Sequence, residues 1–151
     1  MPAPHESLPH NSHSADLAAL LPIRAPSCDN RRLLLYVFRR VASHGLNDAH
    51  GAHAMLTTFG RSYRRPLVLL RALAAEMSRV SARRLMVAPC CCARMTASEA
   101  ALIEVLAIAT IDPLGAHDGL TRLLGVRECV GALGSAQALA QAFADLGRPL
   151  D

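Results

Sequence analysis

The chain has 151 residues, a net charge of +4 and 52% hydrophobic residues, with no Trp and few other aromatics. That length favours one domain with a real core, and no apolar run reaches the roughly 18 residues of a membrane span, since Glu104 interrupts the longest, Ala100–Ile111. No apolar segment follows a basic start at the N-terminus, so no secretory leader is expected, and the expected location is the cytoplasm, where thiols stay reduced.

Leu and Ala dominate the apolar residues, and both favour helix because they lose little side-chain freedom there. Met1–Ser27 is rich in Pro, His and Ser and reads as a flexible arm, with 28–151 as a single helical domain. Within the arm, Ser14–Leu21 could form one helical turn, and His5, His10 and His13 read as a polar tail.

The first helix is expected after Asp29 as N-cap, ending at Gly45. Leu33, Leu34, Val37, Phe38 and Val41 form its apolar side, and Arg32, Tyr36, Arg39 and Arg40 its polar side. The second helix spans about Asn47 to Gly60, with an apolar stripe of Ala49, Ala52, Leu56 and Phe59. His50 and His53 lie on its polar stripe. Pro66 suits the first position of a third, central helix that runs to about Ser81 on Leu67, Leu70, Leu73, Met77 and Val80.

Thr96 and Glu99 spell a T-x-x-E capping box, so a fourth helix begins there. It is apolar almost all round, as a buried helix would be. Asp112-Pro113 pairs an N-cap with an N1 proline and opens a fifth helix ending near Gly125. Val126–Leu133 reads as a sixth, weakened by Gly131. Ser135 is the expected cap of a last helix through Leu146. No strand is expected. The fold class is an all-α, compact bundle of five to seven short helices.

Three of the five cysteines are adjacent in "APCCCARMT": Cys90, Cys91 and Cys92. They precede the capping box, and a helix start presents free N–H groups and partial positive charge, a setting that favours the reactive thiolate. In an extended segment Cys90 and Cys92 would share one side and could hold a soft metal such as zinc as thiolates. Three adjacent cysteines on one tetrahedral ion would be cramped, and no second C-x-x-C exists to complete the set. His50 and His53, three apart on a helix, are further candidate ligands. The alternative is that the cysteines only pack, as small hydrophobes at a tight junction.

All sixteen basic residues are Arg, and thirteen lie in residues 1–95 against five acids. Arg61, Arg64 and Arg65 before Pro66, with Arg32, Arg39 and Arg40 on the first helix, describe an anion-binding face for nucleic acid or a phosphorylated or acidic protein. A solvated face with Arg stems covering apolar surface is the plainer reading. Leu123–Val130 has a faint helix-turn-helix pattern, but the following segment offers no donors for bases. G-x-S-x-G, Walker A, GxGxxG and paired carboxylates are all absent, so no catalytic constellation is visible and the chain is not read as an enzyme.

"HGLNDAH" (His44–His50), "RRPLVLLRALAAEMSRVSAR" (Arg64–Arg83), "MVAPCCCARMT" (Met86–Thr96) and "QAFADLGRPL" (Gln141–Leu150) resemble a family of small alphaproteobacterial proteins of unknown function. The resemblance implies a compact bacterial cytoplasmic domain and assigns no activity, cofactor, partner or catalytic residue. The leading expectation is a non-enzymatic binding or regulatory protein working through Cys90–Cys92. The alternatives are the anion-binding module and a structural protein that buries apolar surface in a homo-oligomer.

Overall fold

A computed structural model describes residues 21–151. Among the described residues six α-helices build an all-α bundle: α1 (Asp29–His44), α2 (Ala49–Phe59), α3 (Arg64–Val80), α4 (Ala97–Ile108), α5 (Pro113–Leu124) and α6 (Val130–Asp145). The expected bundle is thus what forms. Of the expected arm, the three histidines and most of the Ser14–Leu21 turn lie outside the described residues.

Local signals set most boundaries. Gly45 closes α1 at φ 96°, donating its N–H to Val41. Asp48 caps α2 by accepting from Gly51 N at 2.6 Å. Thr96 and Glu99 form the complete capping box of α4. Asp112 caps α5, and Gly125 ends it in the left-handed region at φ 69°. Two starts differ. Cys28 rather than Asp29 is the N-cap of α1, which places the Asp29 charge in the first turn. A 3-10 turn at Gly60–Tyr63 runs straight into α3, so that helix begins two residues before Pro66.

The C-terminal region needs a larger correction. A single helix, α6, replaces the two expected around Gly131 and Ser135. Glycine in a helix costs about 1 kcal/mol relative to Ala. Burial of Ala132, Ala136, Leu139 and Phe143, all fully enclosed, outweighs that penalty. The α6 helix packs antiparallel along α3, with Arg65–Asp145 at one end and Gly131 beside the Glu76 carboxylate at the other. The second helix keeps part of its expected stripe, since Ala52 and Phe59 pack against the core, but its orientation shifts. Gly51 and Met55 are its buried residues, and Leu56 is exposed. Gly51 causes this, because its missing side chain lets α2 close on Val37, whose Cγ1 would lie 3.2 Å from a Cβ there.

A strand pair appears where none was expected. Ile23–Arg24 (β1) and Arg94–Met95 (β2) pair antiparallel, Ile23 with Met95 and Arg24 with Arg94. Two residues are too few for any alternation to show in sequence. Arg94 reinforces the pair by donating Nε to Leu21 O and Nη2 to Pro22 O. The C-terminus is tied to the start of α1: Arg31 Nε donates to Leu150 O, and Asn30 Nδ2 to Pro149 O.

Helices α4 and α5 are antiparallel around the short 109–112 connection. A Cβ on Gly119 would lie 2.6 Å from Val105 Cγ2, whereas one on Gly134 of α6 would meet nothing within 4 Å. Gly119→Ala is therefore expected to lose about 1–3 kcal/mol through forced separation of α4 and α5. Gly134→Ala should gain about 0.5–1 kcal/mol by removing backbone freedom from the unfolded chain. Urea denaturation of both variants checks the pair, and equal effects would contradict the packing described.

Candidate functional site

The three adjacent cysteines occupy a turn. Cys92 N donates to Pro89 O at 3.0 Å, which folds Pro89–Cys92 back on itself and places Cys90 and Cys91 at its tip. Cys91 is exposed, and Cys90 and Cys92 are half-buried. The expected position at the mouth of α4 needs adjustment, since β2 and Thr96 separate the turn from the helix. The capping box occupies the amides of Thr96 and Glu99, so those donors are not offered to the thiols.

What positions the turn is a buried ion pair. Arg39 is 2% exposed, and its Nε and Nη2 donate to Glu99 Oε1 and Oε2 at 2.8 and 2.9 Å. Its Nη1 donates to Cys92 O at 2.8 Å and its Nη2 also to Arg94 O at 2.6 Å. Four of the five guanidinium N–H groups are thus used. Glu99, 1% exposed, accepts also from Ala88 N at 3.0 Å and Thr96 N at 2.9 Å. Thr96 Oγ1 closes the set by donating to Met86 O at 2.7 Å. One carboxylate and one guanidinium therefore hold the backbone on both sides of the cysteines against α1 and α4. Arg39 lies on the sequence-expected polar side of α1, yet it faces the core. Leu35, one turn earlier and also buried, was the signal on that side.

All three cysteines line one cleft of about 650 Å³, together with Arg32 and Tyr36 of α1, Asp29 and Pro26. Arg32 stands at its rim, 3.7 Å from Asp29. Next to it, Arg40 donates to both Asp48 oxygens, at 3.1 and 2.6 Å. The Arg40 hydrogen bonds hold the Asp48 carboxyl well below the usual carboxylate range, with the Gly51 N–H helping and burial opposing. The same pairing raises Arg40.

His50 Nδ1 lies 3.1 Å from Arg40 Nη2. Arginine only donates, so this nitrogen is the acceptor and Nε2 carries the ring proton. His53 is exposed and shares a shallow hollow with His50 and Tyr36. Among the described residues no group of three or more His, Cys, Asp or Glu side chains is placed to hold a metal ion. The triplet and the two histidines thus do not assemble into the ligand set a zinc ion takes. Cys28 caps α1 without lining the cleft. Cys129, buried at the start of α6, lies beside His117 O, and burial, with Glu128 nearby, pushes its thiol up.

The expected arginine face divides. Arg39 is in the core, Arg40 is committed to Asp48, and Arg65 pairs with Asp145 at 2.8 Å. Arg61 and Arg64 are exposed on the 3-10 turn and the first residue of α3, and Arg32 on α1.

The Asp48 carboxyl has a pH signature. Its folded value lies below the ordinary 3.8, so its stabilisation is present at neutral pH and is lost as pH falls below that value. Asn can still cap a helix, so Asp48→Asn isolates the charge. The wild type should be the more stable near pH 6, and the difference should shrink below about pH 4. Urea midpoints across that range check this, and a gap independent of pH would contradict it.

No helix among the described residues is long and apolar enough to cross a membrane. No curated protein and no solved structure matches the chain. One family model, described as a family of unknown function (DUF6628), matches residues 9–147 and so takes in every helix and the cysteine turn. The chain belongs to the DUF6628 family.

Proposed function

We propose that this protein is a non-enzymatic regulatory protein of the bacterial cytoplasm that senses oxidants through Cys90, Cys91 and Cys92. The observation that carries the reading is the common cleft. Three thiols line it, one is open to solvent, and the backbone behind them is pinned by Arg39 and Glu99. Access to solvent and a neighbouring thiol to resolve the oxidised sulfur favour reaction with oxidants, and the triplet offers both.

The chemistry needs only the thiols and a peroxide. A thiolate attacks one peroxide oxygen and breaks the O–O bond, giving a sulfenic acid and hydroxide. A second thiol of the triplet then attacks the sulfenic sulfur, forms the S–S bond and releases water. The two sulfurs lose two electrons and the peroxide gains them. Formation of that bond would strain the turn, because Arg39 holds the Cys92 carbonyl at its end and the Arg94 carbonyl just beyond it. The resulting change in the 86–95 segment is the signal a partner would read.

Holding a soft metal is a weaker use of the same sulfurs, since among the described residues no three His, Cys, Asp or Glu side chains come together to hold an ion. Anion binding by the expected arginine set is weaker too, because Arg39 and Arg40 are engaged elsewhere.

Timed alkylation of the native, reduced protein tests the reading, with buried Cys129 as internal reference. Cys91 should be modified at least about tenfold faster than Cys129. Substoichiometric hydrogen peroxide should oxidise the triplet before Cys28 or Cys129. A triplet that reacts no faster than Cys129, or survives peroxide that oxidises the other thiols, would overturn the reading.

A further inference from the structure

The antiparallel seam of α4 and α5 carries a second cavity, unrelated to the thiols. Gly119 lets α5 come close to Val105, and beside this contact a trough of about 500 Å³ runs along the two helices, lined by Gly115, Gly119, Val105 and Ile108. Its α4 wall steps from Ala97 through Ala101 and Val105 to Ile108, a length of about 16 Å at 1.5 Å per residue. Most of that wall is small or apolar.

One end differs in character. Arg83 and Arg84, from the segment after α3, and Arg122, near the end of α5, all line it. Arg83 Nη1 donates to Arg122 O at 3.4 Å, and Arg122 Nε to Asp118 O at 3.2 Å. Backbone carbonyls neutralise no charge. Among the described residues none of these three arginines forms a salt bridge. Glu104 is the one acid lining the trough, and its carboxylate lies 3.7 Å from Arg31. Three positive charges thus gather at one end of an apolar slot.

We propose that this trough binds a single-chain amphiphile with a carboxylate head, its chain lying on Ala101, Val105 and Ile108 and its head against Arg83, Arg84 and Arg122. Guanidinium groups fork onto carboxylates, and burial of the chain supplies an apolar contribution proportional to the area covered. Nucleic acid is disfavoured by the apolar wall and by the lack of any aromatic side chain for stacking.

Calorimetric titration of the full chain with laurate below its micelle concentration tests the proposal. Butyrate, dodecyltrimethylammonium and an acidic amphipathic peptide serve as comparators. One laurate per chain should bind, at least about tenfold more tightly than butyrate or the cationic amphiphile. Arg84→Ser with Arg122→Ser, both exposed positions, should weaken laurate about tenfold or more while helical content is retained. Arg61→Ser, outside the trough, should leave it unchanged. Ala101→Leu, which narrows the slot, should weaken laurate but leave butyrate unaffected. Equal binding of the cationic amphiphile, indifference to the arginine changes, or saturable binding of the peptide but not laurate would overturn the proposal.

Discussion

The Arg39–Glu99 pair is the contact on which the arrangement around the cysteines depends. Both groups are withdrawn from water, at a cost that a lone charge could not bear. Here the bidentate contact is joined by two backbone carbonyls on the arginine and two backbone amides on the glutamate. Removal of either partner would strand the other, an effect of about 3–5 kcal/mol in buried pairs. Replacement of both by apolar residues can be neutral for stability elsewhere. What such a replacement could not reproduce is the fixing of Ala88, Cys92, Arg94 and Thr96 around one point.

That point joins three parts of the chain. Arg39 brings α1, Glu99 brings the first turn of α4, and the intervening segment is strung between them. The β1–β2 pair then hangs on the same segment, because Arg94 reaches Leu21 and Pro22 while its own carbonyl is held by Arg39. The cysteine turn has few regular hydrogen bonds of its own, so its shape is borrowed from this network. The capping box has a second role here: the carboxylate that satisfies the helix start also anchors α1.

Much of this was legible in the sequence. The T-x-x-E box, Asp112-Pro113 and the closing Gly45 and Gly125 act through adjacent residues, and each worked as its chemistry requires. The Leu67, Leu70, Leu73, Met77 stripe is likewise local and is buried as expected. The features that differed depend on distant contacts. The α6 helix continues through Gly131 and Gly134 because its small-residue face packs on α3. Arg39 looked like a surface residue because its partner lies sixty positions away. The cysteine triplet stood out by composition. Its turn, and the arginine and glutamate that hold it, follow from the packing of α1 on α4, which no local pattern encodes.

Hydrogen exchange at two amides tests the central claim most directly. Ala88 and Thr96 donate their N–H groups to the Glu99 carboxylate. Their exchange should be as slow as that of buried helical amides, and Glu99→Gln should speed both while the amides of α6 are much less affected. Fast exchange at Ala88 and Thr96 in the wild type, or no change on substitution, would mean that the buried pair does not hold the cysteine segment in place.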